Sequence, residues 1–214
     1  MNEVLRDHLV MKGYHSVEAR IIGNTRLRGG IRKWPLVRKG ILNHLREDPA
    51  CVATTMVDYY ALPHAGPGGW PGREESEALG TAEKKGQFVQ NAVRDDLATE
   101  IGHRFDSSRF VPFIVMHEFE GLLFSDCTAF TRLVGRPELK PVFLKIRSQF
   151  ASPEDINDSP DTAPSKRIRK FMPEYQKPLF GVLAMLEIGL SAIRAECPHF
   201  DAWLTTLESH VHEG

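Results

Sequence analysis

A chain of 214 residues with 42% hydrophobic and 26% charged side chains is long enough to bury a core, and its size suits one domain with a helical appendage. The formal charge of -1 excludes a wholly basic nucleic-acid coat protein, and no run approaches the roughly 18 consecutive apolar residues that a membrane span needs. Three cysteines, Cys51, Cys127 and Cys197, lack metal-ligand spacing and suit reduced thiols. With the start MNEVLRDHLVMKG lacking the apolar stretch of a signal peptide, the expected setting is cytoplasmic, with no membrane partner.

In chain order, Val4, Leu5, Leu9 and Val10 mark an amphipathic helix at a point where an α/β domain usually opens with a strand. "SVEARIIG" reads as a strand, followed by the glycine-rich "NTRLRGGIRKWP" and a helix from about Pro35 to Glu47. "CVATTMVDYY" is rich in β-branched residues and reads as a strand ending at Asp58, before the Pro/Gly loop "ALPHAGPGGWPG". Glu74 to about Ile101 is charged with a sparse apolar stripe, which predicts a mostly solvated helical segment. Phe110 to Met116 is a continuous apolar run, the pattern of a strand covered on both faces, and Phe119, Leu122 and Leu123 then recur at helical spacing. Such alternation predicts a parallel sheet with right-handed crossovers. Beyond Phe124 the signals are helical: Cys127 to Val134, Glu138 to Phe150, Ser165 to Phe171, "FGVLAMLEIGLSAIRAE" and "HFDAWLTTLESH". The expected organisation is an α/β core over 1–125 and a helical C-terminal portion over 126–214 packed on it.

Charge is unevenly spread. From Ala19 to Arg46 there are eight basic residues (Arg20, Arg26, Arg28, Arg32, Lys33, Arg38, Lys39 and Arg46) and no acid, and a second knot, "SKRIRK", follows the acidic "SPEDINDSPD". Two such clusters on one face would form a phosphate-binding rim; on separate faces they are solvated helix and loop surface.

Three acids stand out. Asp58 ends one strand, while Glu118 and Glu120 sit where the next turns into a helix, and strand-end carboxylates suit a hard cation such as Mg²⁺, which takes one or two of them plus water. Each also has a structural reading: Asp58 as a loop-initiating residue, Glu118 and Glu120 as acids of a helix first turn. His117 beside them suits packing better than ligation of that ion. "SPED" at 152–155 reads as a helix start capped by Ser152.

Taken together, "TTMVDYYALP", "RFVPFIVMHEFEGLLFSD", "SPEDINDSPDTAPSKRI", "YQKPLFGVLAMLEIGL" and "ECPHFDAWL" resemble the bacterial family of domain of unknown function 4276, over nearly the whole chain. That family is similar to the TOPRIM-like proteins, which implies a Rossmann-like parallel sheet with helices on both faces and acidic strand ends that bind Mg²⁺ (or Mn²⁺). Its relatives accompany ATPases in phage defence, so an ABC-type or AAA ATPase partner is implied, and a homo-oligomer is compatible. Asp58 matches the strand-end aspartate, although the Asp-x-Asp pattern reads here as Asp58, Tyr59, Tyr60. Glu120 matches the glutamate of the Phe-Glu step, with Glu118 its neighbour, and Ser165, Lys166 and Arg167 match the "PSKR" segment. Members usually begin with a strand ending in Glu-Gly-x-Thr-Glu ahead of the helix read here as "NEVLRDHL"; the expectation is a chain without that strand and its general acid/base glutamate.

The resemblance implies hydrolysis of a phosphodiester. Mg²⁺ held by Asp58 and Glu120 would polarise the phosphate, Glu118 would assist proton transfer, and Lys166, Arg167, Ser165, Arg28 and Arg32 would receive phosphate. The alternative is a non-catalytic module that binds nucleic acid or an ATPase partner; the stripe of Trp203, Leu204 and Leu207 would suit a partner interface, although such stripes are more often core.

Overall fold

The computed structural model describes residues 2–20, 31–102, 106–157 and 160–211. It is a mixed structure of helices and short parallel strand pairs, mostly helical. Contacts group the chain into two compact units, Arg20–Val115 and the combination of Met1–Ala19 with Met116–Gly214, rather than dividing it at residue 125. The opening helix α1 (Asn2–Lys12) therefore belongs with the C-terminal helices.

In the Arg20–Val115 unit, Ser16 to Arg20 of the neighbouring stretch carries no strand, and the rest of the strand expected at "SVEARIIG" lies outside the described residues. Helix α2 (Trp34–Glu47) starts with proline in its first turn and buries Trp34, Val37, Ile41, Leu42 and Leu45, a stripe at helical spacing. The strand expected at "CVATTMVD" forms in two pieces, β1 (Ala53–Thr54) and β2 (Val57–Asp58). After them, helix α3 (Ala82–Ile101) precedes β3 (Phe110–Val111) and β4 (Ile114–Val115). β1 pairs with β3 and β2 with β4, both parallel and in one continuous register.

The interruption has a chemical cause. Pro112 falls opposite Thr55 in that register and has no N–H to give a ladder. The Thr55 hydroxyl fills the gap, accepting from the Phe113 amide at 3.2 Å and donating to the Phe113 carbonyl at 3.3 Å. Beyond it the Ile114 amide donates to Gln90 Oε1 of α3 at 3.1 Å. Helix α3 is less solvated than its charge suggests: Thr81 caps it, and Val89, Val93 and Leu97 are fully buried on the side that meets β3 and β4. It stops at Gly102, whose φ of 92° suits a residue without Cβ.

Two polar anchors fix the rest of this unit. Asp96 of α3 receives Trp34 Nε1 at 2.6 Å and Arg38 at 3.0 Å, so one cation of the basic run is an internal tie between α2 and α3. Arg73, 2% exposed, lies 3.8 Å above the Tyr59 ring and donates to the Tyr59 carbonyl and to Glu77, pinning the Pro/Gly loop.

In the other unit, the helix expected after Phe119 is a 3-10 segment, Phe119–Asp126, with Leu122, Leu123 and Phe124 consecutively buried. Its buried residues pack against the helices that follow. Asp126 then caps α4 (Cys127–Leu133), accepting from the Thr128 and Ala129 amides. α5 (Lys140–Arg147), α6 (Pro164–Phe171), α7 (Lys177–Ile188), α8 (Leu190–Glu196) and α9 (Pro198–Ser209) complete the unit. Trp203, Leu204 and Leu207 of α9 are at most 4% exposed, so the stripe suggested for a partner is core instead. All three cysteines are free, and burial pushes the Cys127 thiol up to about 11. Among the described residues no helix is long and apolar enough to cross a membrane.

Glu208 at the end of α9 gathers His8 (2.6 Å) and Lys12 (3.5 Å) from α1 with Arg194 (2.8 Å) from α8. Burial alone would raise this carboxyl, but hydrogen bonds from Arg194 and His8 and the charges of Arg194 and Lys12 bring it down to about 2. A carboxyl depressed in the folded state contributes stability above its unfolded value, near 4.5, and loses it as pH falls toward 2. Urea midpoints measured across that window should fall less steeply for Glu208→Gln than for the parent; parallel curves would remove the cluster from the acid limb.

Candidate functional site

The carboxylates singled out by the sequence separate between the units. Asp58 closes β2 in the Arg20–Val115 unit; Glu118 and Glu120 belong to the other. Asp58 is half-buried and lines a shallow concavity of about 340 Å³ with Ile31, Met56, Val57 and Ala61, so one wall carries a carboxylate and the rest is apolar. Its register partner is Val115, which places both strand ends of this parallel pair on one edge.

Glu118 serves a helix start, though not its own. Its Oε2 accepts from the Ser165 amide at 2.9 Å, at the second position of α6, where the first-turn N–H groups have no intrahelical partner. Gly121 permits the approach: a Cβ there would come within 3.1 Å of the Pro153 carbonyl and 3.7 Å of the Pro164 ring. Ser165, expected at phosphate, is itself buried and engaged through this amide.

Glu120 is 0% exposed, and its Oε2 lies 2.7 Å from Lys177 Nζ at the first position of α7. Burial, followed by the nearby charge of Glu120, raises the Tyr175 phenol, whose hydroxyl has no hydrogen-bond partner among the described residues. A carboxylate enclosed in this way would have to give up its ammonium before it could reach a metal, whereas Asp58 is half-buried at a strand end. Among the described residues no group of three His, Cys, Asp or Glu side chains is placed to hold a metal.

The second basic knot, by contrast, forms a site. A cleft of about 410 Å³ opens between α5 and α6, with Lys145 on one wall and Lys166, Arg167 and Lys170 on the other. Val142, Ile146 and Phe171 supply its apolar surface, and Asp161 is the one acid among its described lining residues. Arg167 is fixed as wall: Nε donates to the Thr162 carbonyl at 2.6 Å and the guanidinium stands 5.2 Å from the Phe150 ring centroid. Lys145, Lys166 and Lys170 are exposed, and no ion pair takes them among the described residues.

Of the first basic run, Arg32 is half-buried and its carbonyl accepts from Trp70 Nε1 at 3.0 Å, while Arg28 lies outside the described residues. Lys166, Arg167 and Lys170 of the "SKRIRK" knot line one cleft, whereas Lys145 and Lys177 are not singled out in the sequence. Lys145 was visible only as part of one face of α5, with Val142, Ile146 and Gln149 at helical spacing. Glu154, kept as part of a helix start, does more than that: buried to 3% exposure, it accepts from the His199 and Phe200 amides at 2.9 and 3.0 Å and so caps α9 across the unit.

Compared with known proteins, the chain matches over residues 1–208 the family model described as "Domain of unknown function (DUF4276)". No curated protein and no solved structure matches it.

Lys177→Met should take the ammonium away from the buried Glu120 carboxylate and cost roughly 1–3 kcal/mol, the scale for a buried group that loses a partner, since Lys177 itself is 36% exposed, and Glu120→Gln in the same chain should restore most of it. Urea denaturation of the single and double variants measures this; a single variant as stable as the parent would mean that Lys177 is not what holds the carboxylate.

Proposed function

We propose that this chain, which belongs to the DUF4276 family, binds nucleic acid through the basic cleft of α5 and α6. The observation that carries the reading is the gathering of Lys145, Lys166, Arg167 and Lys170 around one cavity with a single described acid. Three of these cations are exposed and, among the described residues, unspent on internal ion pairs, so their charge is available to phosphate. The protein as a whole is near neutral, so binding depends on this local concentration of charge. If three or four phosphates are neutralised, affinity should fall roughly 20- to 50-fold between about 50 and 200 mM salt, measured by fluorescence anisotropy with a labelled oligonucleotide. The triple variant Lys145→Glu, Lys166→Glu, Lys170→Glu should bind weakly and lose most of that slope. Binding that is indifferent to salt and to the triple reversal would end the reading.

A second reading, metal-dependent cleavage of a phosphodiester, is favoured by the position of Asp58 at the carboxyl end of paired parallel strands, where open α/β sheets receive ligands. It brings with it the finer expectation of a TOPRIM-like, Rossmann-like sheet and of an ABC-type or AAA ATPase partner in phage defence. Mg²⁺ or Mn²⁺, when bound, supplies charge that polarises the phosphate. Asp58 would hold the hydrated ion. Incubation of the chain with single- and double-stranded DNA and RNA across a Mg²⁺ titration should give cleavage that Asp58→Ala abolishes without loss of folding. Cleavage undiminished in Asp58→Ala would take the metal site away from this residue.

A further inference from the structure

The α5/α6 cleft is not purely cationic, and its apolar part has a definite place. Phe171, at the end of α6, is half-buried and lines the cavity together with Val142 and Ile146 of α5. Its orientation is set from behind by Phe143, whose ring meets it edge to face at 6.3 Å and 73°. Lys170 Nζ stands 5.8 Å from the Phe171 centroid, so a cation and an aromatic surface lie side by side.

We infer that this cleft takes an unpaired nucleotide of a single strand, its base stacked on Phe171 and its flanking phosphates on Lys145, Lys166 and Lys170. The inference rests on the nucleic-acid reading above and names the form of nucleic acid. Size is the first reason. About 410 Å³ falls within the usual range of small-ligand sites, about 300–1,000 Å³, which accommodates a nucleotide and not a duplex. Accessibility is the second: within a duplex each base face is covered by its neighbours, so only an unpaired base can present a face to an aromatic ring. The third is the character of the cations. Three lysines act as mobile point charges that follow a flexible backbone, while Arg167, whose planar fork could have gripped one phosphate rigidly, is committed to the Thr162 carbonyl and the Phe150 ring. Asp161 at the rim would oppose a phosphate beside it but can accept from the amino group of a base edge, so its presence fits a site that receives a base as well as charge.

The test uses the full chain and a 3′-labelled oligonucleotide of mixed sequence, single-stranded or annealed to its complement, followed by anisotropy at fixed salt. The single strand should bind about tenfold more tightly than the duplex, the scale of one stacked base. Phe171→Leu, which keeps apolar bulk against Phe143, should lose that advantage, and Phe171→Tyr, which keeps the ring, should retain it. Lys166→Glu with Lys170→Glu should weaken both forms. If the lysine reversals weaken binding while the duplex binds as tightly as the single strand, or while Phe171→Leu has no effect, the base site is wrong and the phosphate cleft stands. If neither form binds, or the lysine reversals change nothing, both fall. Competition by polyglutamate as effective as that by unlabelled single strand would make the cleft a general anion site and overturn the assignment.

Discussion

A carboxylate removed from water must be met by donors or by a cation, since an uncompensated buried charge costs several kcal/mol. Three glutamates of the helical unit satisfy this requirement in ways that fix its layout. Glu154 spends both oxygens on the first-turn amides of α9, Glu118 spends one on the first turn of α6, and Glu120 takes the ammonium of Lys177 at the start of α7. Each solution joins distant parts of the chain, and each uses a helix end, where amides lacking intrahelical partners and a favourable dipole are available. The segment from His117 to Asp126 is thereby tied to α6 and α7 at the same time as its leucines fill the space between them.

These acids also bear on the basic cleft. Glu118 holds α6 by its N-terminal turn, and the same helix presents Lys166, Arg167 and Lys170 along its outer side while Ile168 is buried beneath. On the other wall, Phe143 of α5 touches Phe124, Phe130 and Phe171, so an aromatic cluster sets the spacing at which Lys145 faces the α6 cations. Positive charges held across an open space repel one another, a cost tolerated when an anion repeatedly occupies that space. The segments "HEFEG" and "SKRIRK", whose first residues 117 and 165 are 48 positions apart, are thus joined within the unit through the bond from the Ser165 amide to Glu118.

How far these features could be read in advance depended on how local their causes are. Helix α2 is announced by Pro35 and a stripe at 3.6 spacing, and the end of β2 by Asp58 before a Pro/Gly loop; both are short-range patterns, and both hold. The break in the strands was also local in origin, since Pro112 is present in the run, but its repair by Thr55 depends on a register that pairs residues 57 apart. Nothing near Glu120 points to Lys177, so it reads as a metal candidate, and nothing near Glu154 points to the amides of α9, so it reads only as part of a local helix start. The α9 stripe stayed open between core and partner surface for the converse reason: periodicity identifies an apolar face, but only packing reveals that the face is covered.

The two functional readings make unequal demands on this arrangement. A phosphate entering the α5/α6 cleft finds exposed lysines whose charges are already in place, so little has to be broken for binding to begin. Recruiting Glu118 or Glu120 to a metal would first require a helix-start amide or the Lys177 ammonium to surrender its carboxylate, and a buried group left behind would carry the penalty of a lost partner. Asp58 has no such commitment to a helix start: the 3-10 turn that follows it receives no side-chain cap from it, and its carboxylate lies at a concave, partly open strand end. The cleavage reading therefore rests on Asp58 rather than on Glu118 or Glu120.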